Sequence, residues 1–137
     1  MARKILLEVV TPEKLLLSQE VDEVIAPGSE GEFGVLPGHC HFLSTLRIGE
    51  LLYRVGDVTN HMAVLWGYAE VTPTKVTILA EIAEKAEDID VERAQATFEK
   101  AEQRLKVGGL PSEVKEAEIS LEKARLRKKI AERARKN

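Results

Sequence analysis

The stretch KVTILAEIAEKAEDIDVERAQATFEKAEQRL, residues 75–105, changes its repeat partway along. At its start Val76, Ile78 and Ala80 alternate with Lys75, Thr77 and Leu79. A period of two places alternate side chains on one face of a strand. From Val91 the apolar residues fall at Val91, Ala94, Phe98, Ala101 and Leu105, at intervals of three and four. That is one stripe of an α-helix. The switch comes near Asp88, and either Asp88 or Asp90 can cap the helix by accepting backbone N–H bonds from its first turn. The chain therefore divides into a β part, residues 1–86, and a helical part, residues 87–137.

Upstream of the switch the strand signal recurs. Ile5, Leu7 and Val9 alternate with Leu6, Glu8 and Val10, and Met62, Val64, Trp66 and Tyr68 are expected on one face. Thr11-Pro12, Pro27-Gly28, Pro37-Gly38, Gly56-Asp57 and Thr72-Pro73 punctuate the runs. Turns at that density predict an all-β sandwich or barrel rather than alternating strand–helix units. Downstream, Gly108-Gly109-Leu110-Pro111 ends the first helix, and Ser112 is the expected cap of a second, with Glu113 near its positive end. Val114, Ala117, Leu121, Ala124 and Ala131 form one stripe of that helix, and Ile119, Leu126 and Ile130 another. So short a connection predicts an antiparallel hairpin. The class is α+β, mainly β.

The hairpin's seam is rich in alanine: Ala94, Ala101, Ala117 and Ala124. Burial stabilises in proportion to apolar area, at about 25 cal/mol per Å², and alanine offers little. Such a pair must lean on the β part or on another protein, and the second stripe supplies the surface. Either both stripes pack on the sandwich, or the hairpin has more than one docking mode. The second case predicts weak hydrogen-exchange protection over residues 113–135.

Composition narrows the function. The 137 residues are 44% hydrophobic, which excludes a wholly disordered chain. A single cysteine, Cys40, excludes an intrachain disulfide and points to a reducing compartment. The opening Met1-Ala2-Arg3-Lys4-Ile5-Leu6-Leu7-Glu8 is too briefly apolar for a secretory signal, and no run approaches the ~20 residues of a membrane span. A soluble, cytoplasmic chain is expected. The net charge of −3 conceals an asymmetry. Lys123, Arg125, Arg127, Lys128, Lys129, Arg133, Arg135 and Lys136 face one acid, Glu132, over the last fifteen residues. A basic tail on an acidic body suits an acidic partner, or simply complements its own helix dipole.

Chemical motifs are sparse. Gly28-Ser29-Glu30-Gly31-Glu32-Phe33-Gly34 lacks the Gly-Lys-Ser/Thr ending of a phosphate loop, and its carboxylates repel phosphate; it reads as a turn. On a strand, His39 and His41 would share a face with Cys40 opposite, but no companion ligands stand at zinc spacing, and His61 is alone. No catalytic constellation stands out. Without interleaved aromatics the basic tail makes no ordinary nucleic-acid interface. In Ile89-Asp90-Val91-Glu92-Arg93-Ala94, Asp90 is a cap and Arg93 a solvated first-turn residue; Arg93 can also hold a phosphate and Asp90 a base or ribose.

Three segments together are similar to one family. Pro27-Gly28-Ser29-Glu30-Gly31-Glu32-Phe33-Gly34-Val35-Leu36-Pro37-Gly38-His39, then Tyr68-Ala69-Glu70-Val71 with Val76-Thr77-Ile78-Leu79-Ala80, then Ile89-Asp90-Val91-Glu92-Arg93-Ala94 occur in the family's order. Over essentially its whole length the chain resembles the epsilon subunits of bacterial F-type ATP synthases. His41 stands where that family usually has proline, and Trp66 where it often has glycine.

The resemblance implies a ten-stranded β-sandwich followed by the two-helix hairpin, and a non-catalytic subunit of the central rotor stalk. The sandwich would bind the gamma subunit and the c ring at the cytoplasmic face of the inner membrane, so that membrane association is indirect. It would couple proton-driven rotation to ATP synthesis. The helices would inhibit ATP hydrolysis when extended towards the alpha and beta subunits. Family analogy puts Glu32 and His39 at the c-ring end, and Arg125, Arg127, Lys128, Lys129 and Arg133 against acidic segments of beta. No cofactor is required; ATP is a regulatory ligand in some members, at positions matched here by Glu84, Asp90, Arg93 and Arg127, with Lys123 where an ATP-binding relative has arginine. The alternative is a nucleotide-sensing or adaptor β-sandwich protein outside the synthase.

Overall fold

The computed structural model describes residues 3–135. Met1 and Ala2 of the opening, Lys136 and the Arg135 side chain lie outside the description. Eight strands come first: β1 (Ile5–Val10), β2 (Leu15–Val21), β3 (Glu23–Gly28), β4 (Gly31–Val35), β5 (Phe42–Leu46), β6 (Gly49–Val55), β7 (Val58–Val71) and β8 (Lys75–Lys85). A single 3-10 turn, Ala86–Asp88, leads to α1 (Val91–Val107) and α2 (Pro111–Arg135).

The strands are ordered β2-β1-β8-β7-β5-β3-β4, and β6 pairs with both β3 and β7. The β1–β8 pair is parallel; the others are antiparallel. The first part of β7 pairs with β6 and the second part with β5, so the partner changes at Leu65–Gly67. There Trp66 has a left-handed backbone, φ 52°, and Gly67 follows at φ 149°. A Cβ on residue 67 would collide with the carbonyl oxygen of Leu79, so glycine is required. β7 and β8 turn this corner together and serve both layers of the sandwich.

The corner corrects two expectations. Eight strands, not ten, occur among the described residues; dividing β7 and β8 at the corner gives the implied ten segments. The expected common face of Met62, Val64, Trp66 and Tyr68 also fails. Met62 and Val64 are fully buried, but Trp66 and Tyr68 are exposed, and Ala69 and Val71 are buried in their place. Past the corner the opposite parity of side chains points inward.

One core joins the layers: Ile5, Leu7 and Val9 of β1, Val24 of β3, Val35 of β4, Leu51 of β6, Met62 and Val64 of β7 and Ile78 of β8 are among its members. The other face of β7, with Ala63 and Leu65, forms a second cluster with Ala86, Ile89, Ile130 and Ala131. The two helices attach there.

Asp90, not Asp88, caps α1: its Oδ1 accepts a bond from Arg93 N at 3.1 Å. Gly108, φ 78°, ends the helix. Ser112 does not cap α2. Leu110 O accepts the first helical bond, from Val114 N, and Pro111 takes the first helical position, where its missing N–H costs nothing. Ala94, Ala101, Ala117 and Ala124 are all buried along the seam. Ala101 and Ala117 line one crevice while Phe98 lies beneath Arg125 and Lys128, so the helices run antiparallel.

Candidate functional site at the seam of sandwich and helices

The cations of α2 are divided among four neighbours, on β8, β6, β7 and α1. Arg127 Nε donates to Glu84 Oε1 of β8 at 2.6 Å. Arg133 Nη1 donates to Glu50 Oε1 of β6. Lys123 Nζ sits 4.8 Å from the ring centroid of Trp66, a cation–π contact to the corner of β7. Lys128 Nζ and Arg125 Cζ lie over Phe98 of α1, at 4.3 and 5.9 Å. Lys129 is exposed and lines a cleft of about 400 Å³ with Arg47, Glu32, Glu122, Arg125 and Arg133. The five cations that the resemblance sets against beta therefore point in different directions in this structure.

Of the four residues matched to nucleotide positions, Glu84 and Arg127 are in contact. Asp90 spends its carboxylate on the α1 cap, and Arg93 is exposed. Glu32 and His39 are not joined by a hydrogen bond or ion pair. Glu32 is exposed on β4 at the mouth of the cleft. His39 lies in the loop before β5, its Nδ1 2.7 Å from Cys40 O and its ring 6.3 Å from that of Phe42. His39, Cys40 and His41 are in that loop and not on a strand; among the described residues no three metal-binding side chains cluster.

Two residues at this seam were not singled out by the sequence as a site. Glu50 is the one charged side chain in the buried set among the described residues. Its Oε2 is 2.9 Å from Nδ1 of His61. The available signal was Gly49-Glu50-Leu51-Leu52-Tyr53, apolar on both faces around one carboxylate; a strand covered on both sides must give such a group a partner.

Elsewhere the sandwich is open. A groove of about 760 Å³ runs past Val10, Thr45, Trp66, Tyr68, Leu79 and Glu81. Tyr68 and Leu79 are about half exposed there, an apolar patch of the kind that marks an interaction surface.

Comparison with known proteins adds the following. Residues 4–86 match the family model described as ATP synthase, Delta/Epsilon chain, beta-sandwich domain, and residues 87–135 match ATP synthase, Delta/Epsilon chain, long alpha-helix domain. The chain is 54% identical over 133 residues to the ATP synthase epsilon chain of Syntrophobacter fumaroxidans, covering 97% of this chain and 99% of the relative. It is 53% identical over 137 residues to that of Citrifermentans bemidjiense, covering 98% of each. Among solved structures, a chain of the Euglena gracilis mitochondrial ATP synthase (OSCP/F1/c-ring, rotational state 1) superposes with a TM-score of 0.80 at 25% identity, covering 96% of this chain and 81% of that one. A chain of the Tetrahymena thermophila mitochondrial ATP synthase central stalk and c-ring shares the fold, with a TM-score of 0.64 at 17% identity, covering 94% and 97%.

Proposed function

Because the chain belongs to the delta/epsilon-chain family of ATP synthases, as an epsilon chain, we propose that it couples proton-driven rotation to ATP synthesis on the central stalk, and that its two helices restrain ATP hydrolysis. It does no chemistry of its own. The sandwich holds gamma through the apolar groove beside Trp66, Tyr68 and Leu79, and meets the c ring near Glu32 and His39. It is thus peripheral at the cytoplasmic face of the inner membrane, held there by partners. Among the described residues no helix is long and apolar enough to cross a membrane. The alpha and beta subunits are the partners of the extended helices.

One observation carries the regulatory half of this reading. The hairpin reaches the sandwich through a small apolar cluster, Ile130 and Ala131 with Ile89 and Ala86 against Ala63 and Leu65. The remaining attachments are polar contacts to partly exposed cations. Its far end carries Val107 and Leu110 exposed. Such an arm detaches without disturbing the main core.

Reconstitution with a synthase depleted of its epsilon subunit tests the proposal. The full chain is expected to lower the ATPase rate, and a truncation after Ala86 to bind gamma without lowering it. A truncation that inhibits as well as the full chain would remove the arm from the mechanism. Failure of the full chain to co-purify with gamma would favour an adaptor outside the synthase.

ATP is a regulatory ligand in this reading, favoured by the adjacency of Glu84 and Arg127. It binds weakly, because a phosphate must displace Glu84 from Arg127, and Lys123 is engaged on Trp66. Lysine also lacks the bidentate fork of arginine. Calorimetry of the full chain with MgATP should give heat only at about millimolar concentration or above; none there would remove nucleotide from the regulation.

A further inference from the structure

The sheet face beneath α2 carries two carboxylates at one level. Glu50 of β6 stands opposite Ala63 of β7, and Ala63 stands opposite Glu84 of β8. Directly opposed residues point to the same side of a sheet. Three adjacent strands thus present glutamate, alanine, glutamate as one rung. Neighbouring strands are about 4.8 Å apart, so the two glutamates are roughly 10 Å apart. On α2, Ile130 lies midway between Arg127 and Arg133. At about 1.5 Å per residue those arginines are about 9 Å apart along the helix axis. The two spacings match. Arg127 takes Glu84, Arg133 takes Glu50, and Ile130 and Ala63 are both fully buried in the cluster between them.

The two ends of the rung differ. The Glu84 side chain is 33% exposed, the Glu50 side chain only 6%. Glu50 is also supported from within the sheet by His61, whose side chain is 8% exposed. A buried carboxylate that loses its cation becomes an uncompensated charge. A slip of α2 by one residue rotates Arg133 by about 100° and has that consequence, whereas it leaves Glu84 in reach of water. The rung therefore fixes where the helix sits, and most of that selectivity resides at Glu50.

We propose that Glu50, backed by His61, is the catch that sets the position of the helical arm on the sandwich, and that the Glu50–Glu84 rung holds the arm stowed with no nucleotide bound. Its regulatory meaning rests on the function proposed above; its geometry does not. Glu50 and His61 are positioning residues: they act through Arg133.

Hydrogen exchange of the full chain without nucleotide tests this, comparing the unaltered protein with Arg133→Gln, Glu50→Gln and the two together. Arg133 is on the outer side of the pair, with its side chain 48% exposed, so its replacement leaves the sandwich core intact. Each single change is expected to speed exchange over residues 113–135 about tenfold and leave residues 5–80 unaltered. The double variant should exchange no faster than the faster single one, because both remove the same interaction. The emission of Trp66, the only tryptophan, should shift in step as Lys123 leaves its ring. Unchanged exchange over 113–135 in both single variants overturns the proposal, as does equal acceleration throughout the sandwich. ATPase rates of the reconstituted variants separate this from the wider reading. An arm loosened in exchange, with inhibition unaltered, supports the catch and overturns the regulatory role.

Discussion

Asp22 shows what a single side chain does for the stability of the sandwich. Gly56 N donates to its Oδ2 at 2.7 Å and Lys4 Nζ to its Oδ1 at 3.1 Å, with Arg54 Nη1 at 3.8 Å. These donors, the Gly56 bond foremost, hold its carboxyl below the ordinary value of 3.8. A carboxylate whose pKa is lowered by folding stabilises the native state at pH above its unfolded pKa, and that contribution is lost as pH falls through the folded value. Asp22→Asn is therefore expected to lower the urea midpoint at neutral pH. The difference from the unaltered chain should shrink as the pH is brought below about 3.8 and vanish once both states are protonated. A difference that is the same at neutral pH and in strong acid would contradict this account. Glu50 is the opposite case, a carboxylate inside the seam whose partners come from β7 and from a helix more than eighty residues away. No local pattern announces such a partner, which is why His61 looked solitary in the sequence and Arg133, singled out only as a cation for an outside partner, was not matched to Glu50.

At the scale of elements, the legible features are those set by neighbours along the chain. The intervals of three and four from Val91 to Leu105 mark α1, and the stripe's two alanines, Ala94 and Ala101, are the residues it buries. The two stripes of α2 divide only in part: Ala117 and Ala124 of the first are buried along α1, but Ala131 of the same stripe joins Ile130 of the second on the sandwich. Period two also finds β1 and the first half of β8, where Val76, Ile78 and Ala80 are buried as alternation requires. It fails in β7 because a parity argument assumes that a strand stays in one sheet. Trp66 and Gly67 carry β7 from one layer to the other, and the inward set changes from Met62 and Val64 to Ala69 and Val71. The glycine that permits this is visible in the sequence, but its obligation comes from the Leu79 carbonyl packed against it. The strand count was hidden for the same reason. At α2 the missed cap has a local cause: Pro111 can begin a helix without a donor, which makes Ser112 unnecessary as a start. Of the site, Glu84 and Arg127 were legible through family resemblance; their placement opposite Glu50 and Arg133 required three paired strands.

If the arm acts as proposed, the whole molecule sets a competition between two uses of the same cations. In the docked arrangement Arg127 and Arg133 serve carboxylates of the sandwich, and Lys123 serves Trp66. An arm extended as proposed would exchange these for acidic groups on its partners. The two sides respond differently to salt. Glu50 is almost wholly buried, so its pairing with Arg133 is screened little. Contacts between a helix extended as proposed and a partner's acidic surface would be exposed, and exposed charges are screened over about 8 Å at physiological ionic strength. Added salt should therefore shift the balance towards the docked arm, and inhibition of ATP hydrolysis by the full chain is expected to weaken several-fold between low and high salt. Charge reversal separates the two uses. Arg125, Lys128 and Lys129 make no ion pair with the sandwich among the described residues. Reversing these three should weaken inhibition while the Arg127 and Arg133 pairs keep the helix on the sandwich; of the three, Lys129 lies over no ring of α1 among the described residues, and its reversal alone should leave hydrogen exchange over residues 113–135 as it was. Arg133→Glu should speed that exchange, since it sets two carboxylates against each other at a buried position, and also remove a cation from the extended arm. Inhibition that is indifferent to salt, or that survives reversal at residues 125, 128 and 129, would mean that the arm blocks hydrolysis by its bulk and not by its charge.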